Sequence, residues 1–158
     1  MDLRFADESD IDALNPVINR AFAVESFFIT GERVSPQRTR EYMQAGRFLL
    51  AEESGAIIGC VYVELHGDRA YLGLLSVDPA RQGNGLGRRL VAAAEEFARE
   101  MGAHHMDLTV VNLRTELPPF YQKLGYRIVG IEPIRAEMVP RVTQPCHFIR
   151  MSKPLGGA

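Results

Sequence analysis

The stretch from Ser76 to Arg89 joins a β-like segment to an amphipathic helix through a turn that contains Gly83, Gly85 and Gly87. The start of a helix carries unpaired N–H groups and a partial positive charge. Glycines lack the Cβ atoms that would keep an anion away from the backbone. Because arginines flank the turn as well, this stretch predicts a binding site for a phosphate group.

The residues after this turn repeat with the period of an amphipathic helix. Apolar side chains recur at three- and four-residue intervals, at Leu86, Leu90, Val91, Ala94, Phe97, Ala98 and Met101. Gly102 follows as a typical C-terminal stop. The phosphate site is therefore expected at the start of a rigid helix.

Two well-known nucleotide motifs do not fit the turn. A P-loop ends in Gly-Lys-Ser/Thr, whereas this chain continues as Gly87-Arg88-Arg89. The dinucleotide fingerprint requires G-x-G-x-x-G, whereas the glycines here alternate with single residues. The ligand is therefore expected to be something other than the nucleotides that these motifs bind.

The turn does match Gln-x-x-Gly-x-Gly, with Gln82, Gly85 and Gly87 at the fixed positions. A second block downstream reads Phe120-Tyr121-Gln122-Lys123-Leu124-Gly125-Tyr126. Together they resemble the acyl-CoA loop and the Phe-Tyr-x-Lys-x-Gly-Phe/Tyr segment of the GCN5-related N-acetyltransferases, the GNAT family. One predicted helix and one predicted strand separate the two blocks, in the order that the family shows.

The resemblance implies the GNAT fold, which is of the α+β class. A mixed, mostly antiparallel sheet of about six to seven strands would be flanked by about four helices. Strands 4 and 5, here Arg69–Val77 and His104–Val111, would splay apart and hold the pantetheine arm of acetyl-CoA between them. The resemblance assigns cofactor binding to Leu75, Val77, Gln82, Gly83, Asn84, Gly85, Leu86, Gly87, Arg88 and Asn112.

The hydrophobic pattern and the turn residues predict the remaining elements. Strands are expected at Leu3–Ala6, Arg47–Glu52, Ala56–His66, Tyr126–Glu132 and His147–Ser152. The pattern Ser9-x-x-Asp12 predicts the start of a helix toward Phe22, with a kink or break at Pro16. Ser35 and Pro36 predict the N-cap and first residue of a helix that stops at Gly46, and a short helix is expected at Pro118–Leu124.

The reaction that the resemblance implies is direct transfer of an acetyl group from acetyl-CoA to a primary amine, without a covalent enzyme intermediate. Tyr121 matches the tyrosine with which relatives protonate the leaving thiolate, although an aromatic core residue would also suit this position. Many relatives have a glutamate on strand 4, but the stretch Tyr71–Leu75 contains no carboxylate. Glu64 and His66 on the preceding strand are the candidates for the base, or else they are solvated strand-end residues.

An isolated glycine in a strand, Gly73, predicts either a bulge that aims an N–H at the thioester carbonyl or a simple relief of packing. The acceptor is expected to meet the segments Ala23–Val34 and Ile134–Cys146. Phe27, Phe28 and Arg33 could form a wall of that pocket, or the phenylalanines could seal the core. A small-molecule amine, an amino acid, a protein N-terminus and a lysine side chain all stay open.

Composition agrees with one domain over residues 1–158, because 158 residues with 46% apolar content make a domain of ordinary size. A net charge of −2 argues against nucleic-acid or membrane binding, and no apolar run approaches the roughly eighteen residues of a membrane span. Cys60 and Cys146 make no disulfide framework, and no histidine pair has the spacing of metal ligands. A cytoplasmic protein without a metal is expected, and a homodimer is possible.

Two functions from different classes stay open. One is an acetyltransferase that uses acetyl-CoA. The other is a non-catalytic acyl-CoA-binding sensor or interaction module, which the missing carboxylate on strand 4 keeps in view.

Overall fold

The computed structural model describes residues 1–156, in which seven strands form one sheet of order β1-β2-β3-β4-β5-β7-β6. The strands are β1 Asp2–Phe5, β2 Arg47–Glu53, β3 Ala56–His66, β4 Arg69–Val77, β5 His105–Val111, β6 Arg127–Pro133 and β7 His147–Pro154. The α-helices are α1 Ile11–Phe22, α2 Pro36–Ala45, α3 Leu86–Glu100 and α4 Leu117–Lys123. Within this part of the chain no helix is both long enough and apolar enough to cross a bilayer.

Neighbouring strands are antiparallel except β4 and β5, which are parallel and pair only at their N-terminal ends. The ladder joins Arg69–Tyr71 to His105–Asp107 and then stops. Two hydrogen bonds of 2.7 Å from the Arg69 guanidinium to the Asp107 carboxylate fasten this closed end. The mixed sheet and the splay between strands 4 and 5 are therefore confirmed.

A bulge interrupts β4 in the part that faces the gap. Cys60 of β3 pairs with Ser76, but Tyr62 pairs with Gly73, so β4 carries one extra residue. Leu74 lies in the left-handed region with φ +50°, which is uncommon for a residue with a side chain. The extra residue changes which face the side chains occupy beyond this point.

Gly73 stands beside this bulge, as predicted, and also relieves packing. A Cβ atom at Gly73 would lie 3.1 Å from the ring of Tyr71, two residues earlier on the same face. The two alternatives considered from the sequence therefore both describe this glycine, although the left-handed residue itself is Leu74.

Two hydrophobic layers cover the sheet. Alternate residues of β3 point to opposite faces, so that Val61 and Val63 pack with Leu90 of α3. Tyr62 packs on the other face with Leu14 of α1. The glycine turn that begins α3 therefore lies on one face of the sheet, and α1 and α2 lie on the other.

The start of α1 differs from the prediction. Asp7 caps a short 3-10 turn over Glu8–Asp10, and the α-helix begins only at Ile11, so a start at the Ser9-x-x-Asp12 pattern is wrong. The helix runs through Pro16 without a break. The proline removes the N–H that would bond to the Asp12 carbonyl, and both residues are exposed, so water can satisfy that carbonyl.

The other predicted helices agree more closely. The Ser35 hydroxyl accepts a hydrogen bond from the Arg38 N–H at 3.1 Å, and α2 ends before Gly46 as expected. Met101 is not part of the apolar face of α3, because the helix ends at Glu100 and the Met101 side chain is 56% exposed.

A buried polar group joins α3 to the strands beyond the gap. The Glu95 carboxylate accepts hydrogen bonds from the Tyr126 hydroxyl at 2.8 Å and from the Lys153 ammonium at 2.9 Å. Glu95 is only 7% exposed, so a buried carboxylate that lost these partners would be costly. Tyr126, which belongs to the second sequence block, therefore helps to fix α3 against β6 and β7.

Replacing Glu95 with alanine tests this link, because it leaves the Tyr126 hydroxyl and the Lys153 ammonium without their acceptor. We expect the free energy of unfolding in urea to fall by about 2–3 kcal/mol. Glu96→Ala is the matched control on the next residue of α3, because Glu96 is exposed and pairs only with Arg99, and we expect a change within about 0.5 kcal/mol. Equal losses in the two variants would contradict a structural role for Glu95.

Candidate active site

A cleft lies between the splayed strands and extends toward the face that carries α1. The stretches Tyr71–Leu75 of β4 and Leu108–Val111 of β5 form its sides. Leu117 and Tyr121 of α4 line it as well. At the other end it is lined by Phe22, Glu25, Arg33, Arg114, Arg135, Met138 and Phe148.

The backbone of β4 presents an unpaired edge to the gap. Beyond Tyr71 this strand has no ladder partner toward β5 among residues 1–156. Backbone N–H and C=O groups need partners, and an extended ligand with amide groups can supply them by adding to a strand edge. Leu75 and Val77 lie on this part of β4, as the sequence predicted.

The glycine turn has the geometry of an anion site. Gly83 and Gly85 have φ values of +90° and +75°, which favour glycine, and Gly85 immediately precedes α3. No side chain caps the start of this 15-residue helix, so its first N–H groups stay available for an anion. The geometry of the turn therefore fits the predicted phosphate site, and phosphate binding itself stays a prediction.

Gly87 places this turn above the end of β4. A Cβ atom there would lie 3.6 Å from Phe120, 3.8 Å from Val77 and 3.9 Å from Leu75. The Gln82 side chain donates a hydrogen bond to the Val77 carbonyl at 3.4 Å. The structure therefore brings the predicted residues of β4 and of the glycine turn together at the open end of the gap.

Tyr121 is both a core aromatic residue and a cleft residue. It is 5% exposed, and its ring lies 5.0 Å from that of Phe120 and 5.7 Å from that of Tyr126. Burial raises the pKa of the Tyr121 hydroxyl, and Tyr71 raises this pKa further while Arg114 lowers it. The phenol therefore stays protonated at neutral pH, as a proton donor must.

The family model described as the acetyltransferase (GNAT) family matches residues 18–126 of this sequence, which include β2 to β5, the glycine turn and Tyr121. The chain belongs to the GNAT family. The match confirms the resemblance that the two sequence blocks indicated.

Individual relatives agree with this assignment. A mycothiol acetyltransferase of Amycolatopsis mediterranei is 32% identical over 77% of this chain and 44% of its own length. The L-methionine sulfoximine/L-methionine sulfone acetyltransferase of Salmonella typhimurium is 26% identical over 84% of each chain. The fold matches that of a protein of Salmonella typhimurium solved with its cofactor acetyl-CoA, with a TM-score of 0.75 at 21% identity over 99% of this chain and 95% of the other.

Length separates the chain from some of these relatives. It spans less than half of the mycothiol acetyltransferases that it matches. At 21% identity the solved structure shows a shared fold and does not indicate the acceptor. The acceptor of this GNAT chain therefore depends on the residues of its own cleft.

Asn112 has a different position from the other cofactor candidates of this GNAT domain. Its N–H donates to the His147 carbonyl at 2.9 Å, and its side-chain Oδ1 accepts from the His147 N–H at 2.8 Å. Asn112 thus fastens the end of β5 to the start of β7. A cofactor contact by Asn112 stays a prediction.

Neither Glu64 nor His66, the predicted base candidates, lines the cleft. The two side chains contact each other at 2.7 Å, and Glu64 also lies 2.6 Å from the hydroxyl of Tyr62. That hydroxyl lies 2.9 Å from the carbonyl oxygen of Tyr42 in α2. Burial and the Glu64 carboxylate raise the pKa of Tyr62. The Glu64 carboxylate therefore contacts Tyr62 and His66 beside α2 and lies outside the cleft. Its role as the base stays a prediction that the geometry does not favour.

The carboxylate that does line the cleft belongs to Glu25, which the sequence analysis missed. Glu25 lies in a short 3-10 turn after α1, is 7% exposed and contacts the Arg114 guanidinium at 2.8 Å. Burial raises the pKa of Glu25 and outweighs the lowering by Arg114. The segment around Glu25 contains no sequence motif. Glu25 becomes a candidate only because the fold buries its carboxylate beside the gap.

The segments Ala23–Val34 and Ile134–Cys146, here called the two variable segments, close over one end of the cleft. Ile29 and Val142 form a β-bridge, and the Thr143 N–H donates to the Phe28 carbonyl at 2.8 Å. Phe28 is fully buried and seals a small core, whereas Phe27 is 49% exposed and stacks edge-on against it. Of the three residues predicted as a pocket wall, only Arg33 lines the cleft.

The glycine turn can be tested by Gly87→Glu. A side chain at this position makes only ordinary contacts, so we expect the fold to be kept, but the bulk and negative charge oppose a diphosphate. The Kd for coenzyme A, measured by calorimetry, should rise by at least about tenfold. Ala92→Glu is the matched control, because Ala92 is an exposed residue of the same helix. Unchanged affinity in Gly87→Glu would contradict the site.

Proposed function

We propose that this GNAT chain transfers the acetyl group of acetyl-CoA directly to a primary amine of a small molecule or peptide. One observation carries the proposal. The uncapped start of α3 lies against the end of β4, the unpaired edge of β4 lines the cleft, and a protonated tyrosine lies in that cleft. A donor can therefore lie in the gap with its phosphates on one face of the sheet and its acyl group directed toward the other.

The residues present fit coenzyme A. The N–H groups from Gln82 to Arg88 suit the diphosphate, because two of the glycines hold left-handed conformations at the start of a helix. The edge of β4 at Leu75 and Val77 suits the amides of pantetheine. Acetyl-CoA supplies a thioester carbon that an amine can attack. Asn84 and Leu86 complete the turn as positions of backbone contact.

The reaction follows from the order of groups along the gap. The acceptor nitrogen attacks the thioester carbon, the carbon–sulfur bond breaks, and the leaving sulfur takes the proton of Tyr121. The amine loses one proton, which returns to the tyrosine through solvent. We assign a backbone N–H of the bulge at Leu74, which lines the cleft, to the developing oxyanion.

The attacking amine must be neutral, and an ammonium of pKa near 10.4 needs about 4–5 kcal/mol to lose its proton at pH 7. Glu25 is the carboxylate that lines the cleft for this task. Because the pKa of Glu25 is raised toward neutral pH, its carboxylate is a stronger proton acceptor than an ordinary carboxylate. We assign the base to Glu25 in place of Glu64 and His66.

Two features support an enzyme rather than a sensor. A relative that matches 84% of this chain over 84% of its own length is named as an L-methionine sulfoximine/L-methionine sulfone acetyltransferase. The cleft also holds a carboxylate, although none lies on the stretch of β4 from Tyr71 to Leu75. The absence of a carboxylate from this stretch of β4 is the observation that favours the alternative, a non-catalytic acyl-CoA-binding module. One domain over residues 1–158, a cytoplasmic location and a homodimer stay predictions.

A thiol-release assay with acetyl-CoA and a broad amine panel tests the proposal through Tyr121→Phe. We expect kcat to fall by roughly 10- to 100-fold, at the low end of general acid catalysis, because a thiolate is already a good leaving group. The Kd for coenzyme A should stay within about twofold, since the ring remains. Tyr42→Phe, in α2, is the control. Coenzyme A binding without turnover of any amine would favour the sensor.

The base is tested by comparing Glu25→Gln with Glu64→Gln. In the wild type, kcat/KM should rise with pH through the raised pKa of Glu25, as its carboxylate forms. Glu25→Gln should lower kcat/KM at pH 7 by about 10- to 100-fold and remove this rise. Glu64→Gln should keep the rise of kcat/KM with pH, and its kcat/KM at pH 7 should stay within about twofold of the wild type. The reverse result would return the role to Glu64.

A further inference from the structure

The end of the cleft under the two variable segments carries an excess of positive charge. Its charged lining residues are one glutamate, Glu25, and three arginines, Arg33, Arg114 and Arg135. Arg114 is committed to carboxylates, with contacts of 2.8 Å to Glu25 and 3.0 Å to Glu116. Arg33 and Arg135 are the two arginines of this lining that do not contact Glu25 or Glu116 in this way.

Arg33 forms no ion pair within 4.0 Å in the described part of the chain. It is half-buried between α1 and α2, and its charge lies close enough to Glu25 to lower the pKa of that carboxyl. Its guanidinium lies 5.3 Å from the centre of the Phe22 ring. A guanidinium held by an aromatic ring keeps its N–H donors at its edge for a further partner.

Arg135 approaches the cleft from the other variable segment, after β6. Its guanidinium lies 4.8 Å from the centre of the Phe148 ring. Its one ion pair among the described residues is with Glu137 at 3.6 Å, and both side chains are more than one-third exposed. Such a surface pair is weak, so Arg135 also has donors for a ligand.

The phosphates of coenzyme A do not account for these two arginines. The glycine turn and α3 lie on one face of the sheet, whereas Arg33 lies beside Phe22 at the end of α1 on the opposite face. Arg88 and Arg89 already supply positive charge around the glycine turn, where Arg81 is paired with Glu53. The ligand of Arg33 and Arg135 is therefore expected to be part of the acceptor.

We propose that the acceptor is a small amino acid-like molecule whose carboxylate binds Arg33 and Arg135 while its amine faces Glu25. The inference rests on the proposed transfer to an amine and narrows its acceptor. Guanidinium groups match a carboxylate through paired N–H donors, and the carboxylate offsets their charge. The arginines also favour loss of a proton from the nearby ammonium. A peptide N-terminus has no carboxylate at this distance and is disfavoured.

The test uses a panel of L-amino acids, each paired with its carboxamide, under saturating acetyl-CoA in the thiol-release assay. Wild-type kcat/KM should be at least about tenfold higher for the acid of a pair than for its amide. Arg33→Gln should lower kcat/KM for the acid about 10- to 100-fold, mainly through KM, and leave the amide within about twofold. Arg135→Gln should act in the same direction. Arg40→Gln, on the exposed face of α2, is the matched control.

A second readout separates this inference from the proposed function. Calorimetry on protein loaded with coenzyme A should show binding of the acid but not of its amide, and Arg33→Gln should abolish it. Amides that react as well as acids, or equal losses for both in Arg33→Gln, would overturn the carboxylate site and leave the transferase intact. Binding of acids with no turnover of any amine would overturn the transferase and leave the carboxylate site.

Discussion

The parting of β4 and β5 after a few ladder pairs is the constraint on which the rest of the molecule depends. Parallel neighbours normally continue to share hydrogen bonds, and an unpaired strand edge inside a protein is unfavourable. Here the Arg69–Asp107 pair holds the closed end. Beyond it, α4 lies beside the gap, and each strand is packed into hydrophobic clusters that keep it in place. The unpaired edge is thus maintained by packing and is available to an extended ligand.

The gap also connects two faces of the sheet that are otherwise separate. α3 and the glycine turn occupy one face, and α1, α2 and the variable segments occupy the other. A donor and an acceptor that approach from opposite faces can meet only between the strands. This arrangement favours a direct attack by the acceptor, because no enzyme nucleophile is needed to carry the acyl group from one site to another.

The two sites differ in the kind of chemistry that forms them. The donor site consists mainly of backbone groups in a helix start and a strand edge, which many side chains permit as long as the glycines remain. The proposed acceptor site consists of side chains, with Glu25 held by Arg114 and two arginines held on aromatic rings. Donor binding is therefore common to a fold, whereas acceptor choice belongs to the individual sequence.

The sequence by itself determined the features that local rules govern. The glycine turn, the period of α3, the Ser35 cap and the positions of the strands along the chain follow from neighbouring residues. Local patterns failed at the start of α1, where Asp7 caps a 3-10 turn, and where solvent intervened, as at Pro16 and Met101. Only the tertiary structure decided which carboxylate reaches the gap. Glu64 lies on β3, next to the strand of the expected site, but its carboxylate contacts Tyr62 and His66 outside the cleft, whereas Glu25 meets Arg114 across 89 residues of chain. Burial and long-range charge pairing arise from packing between distant segments, and no spacing along the chain encodes them.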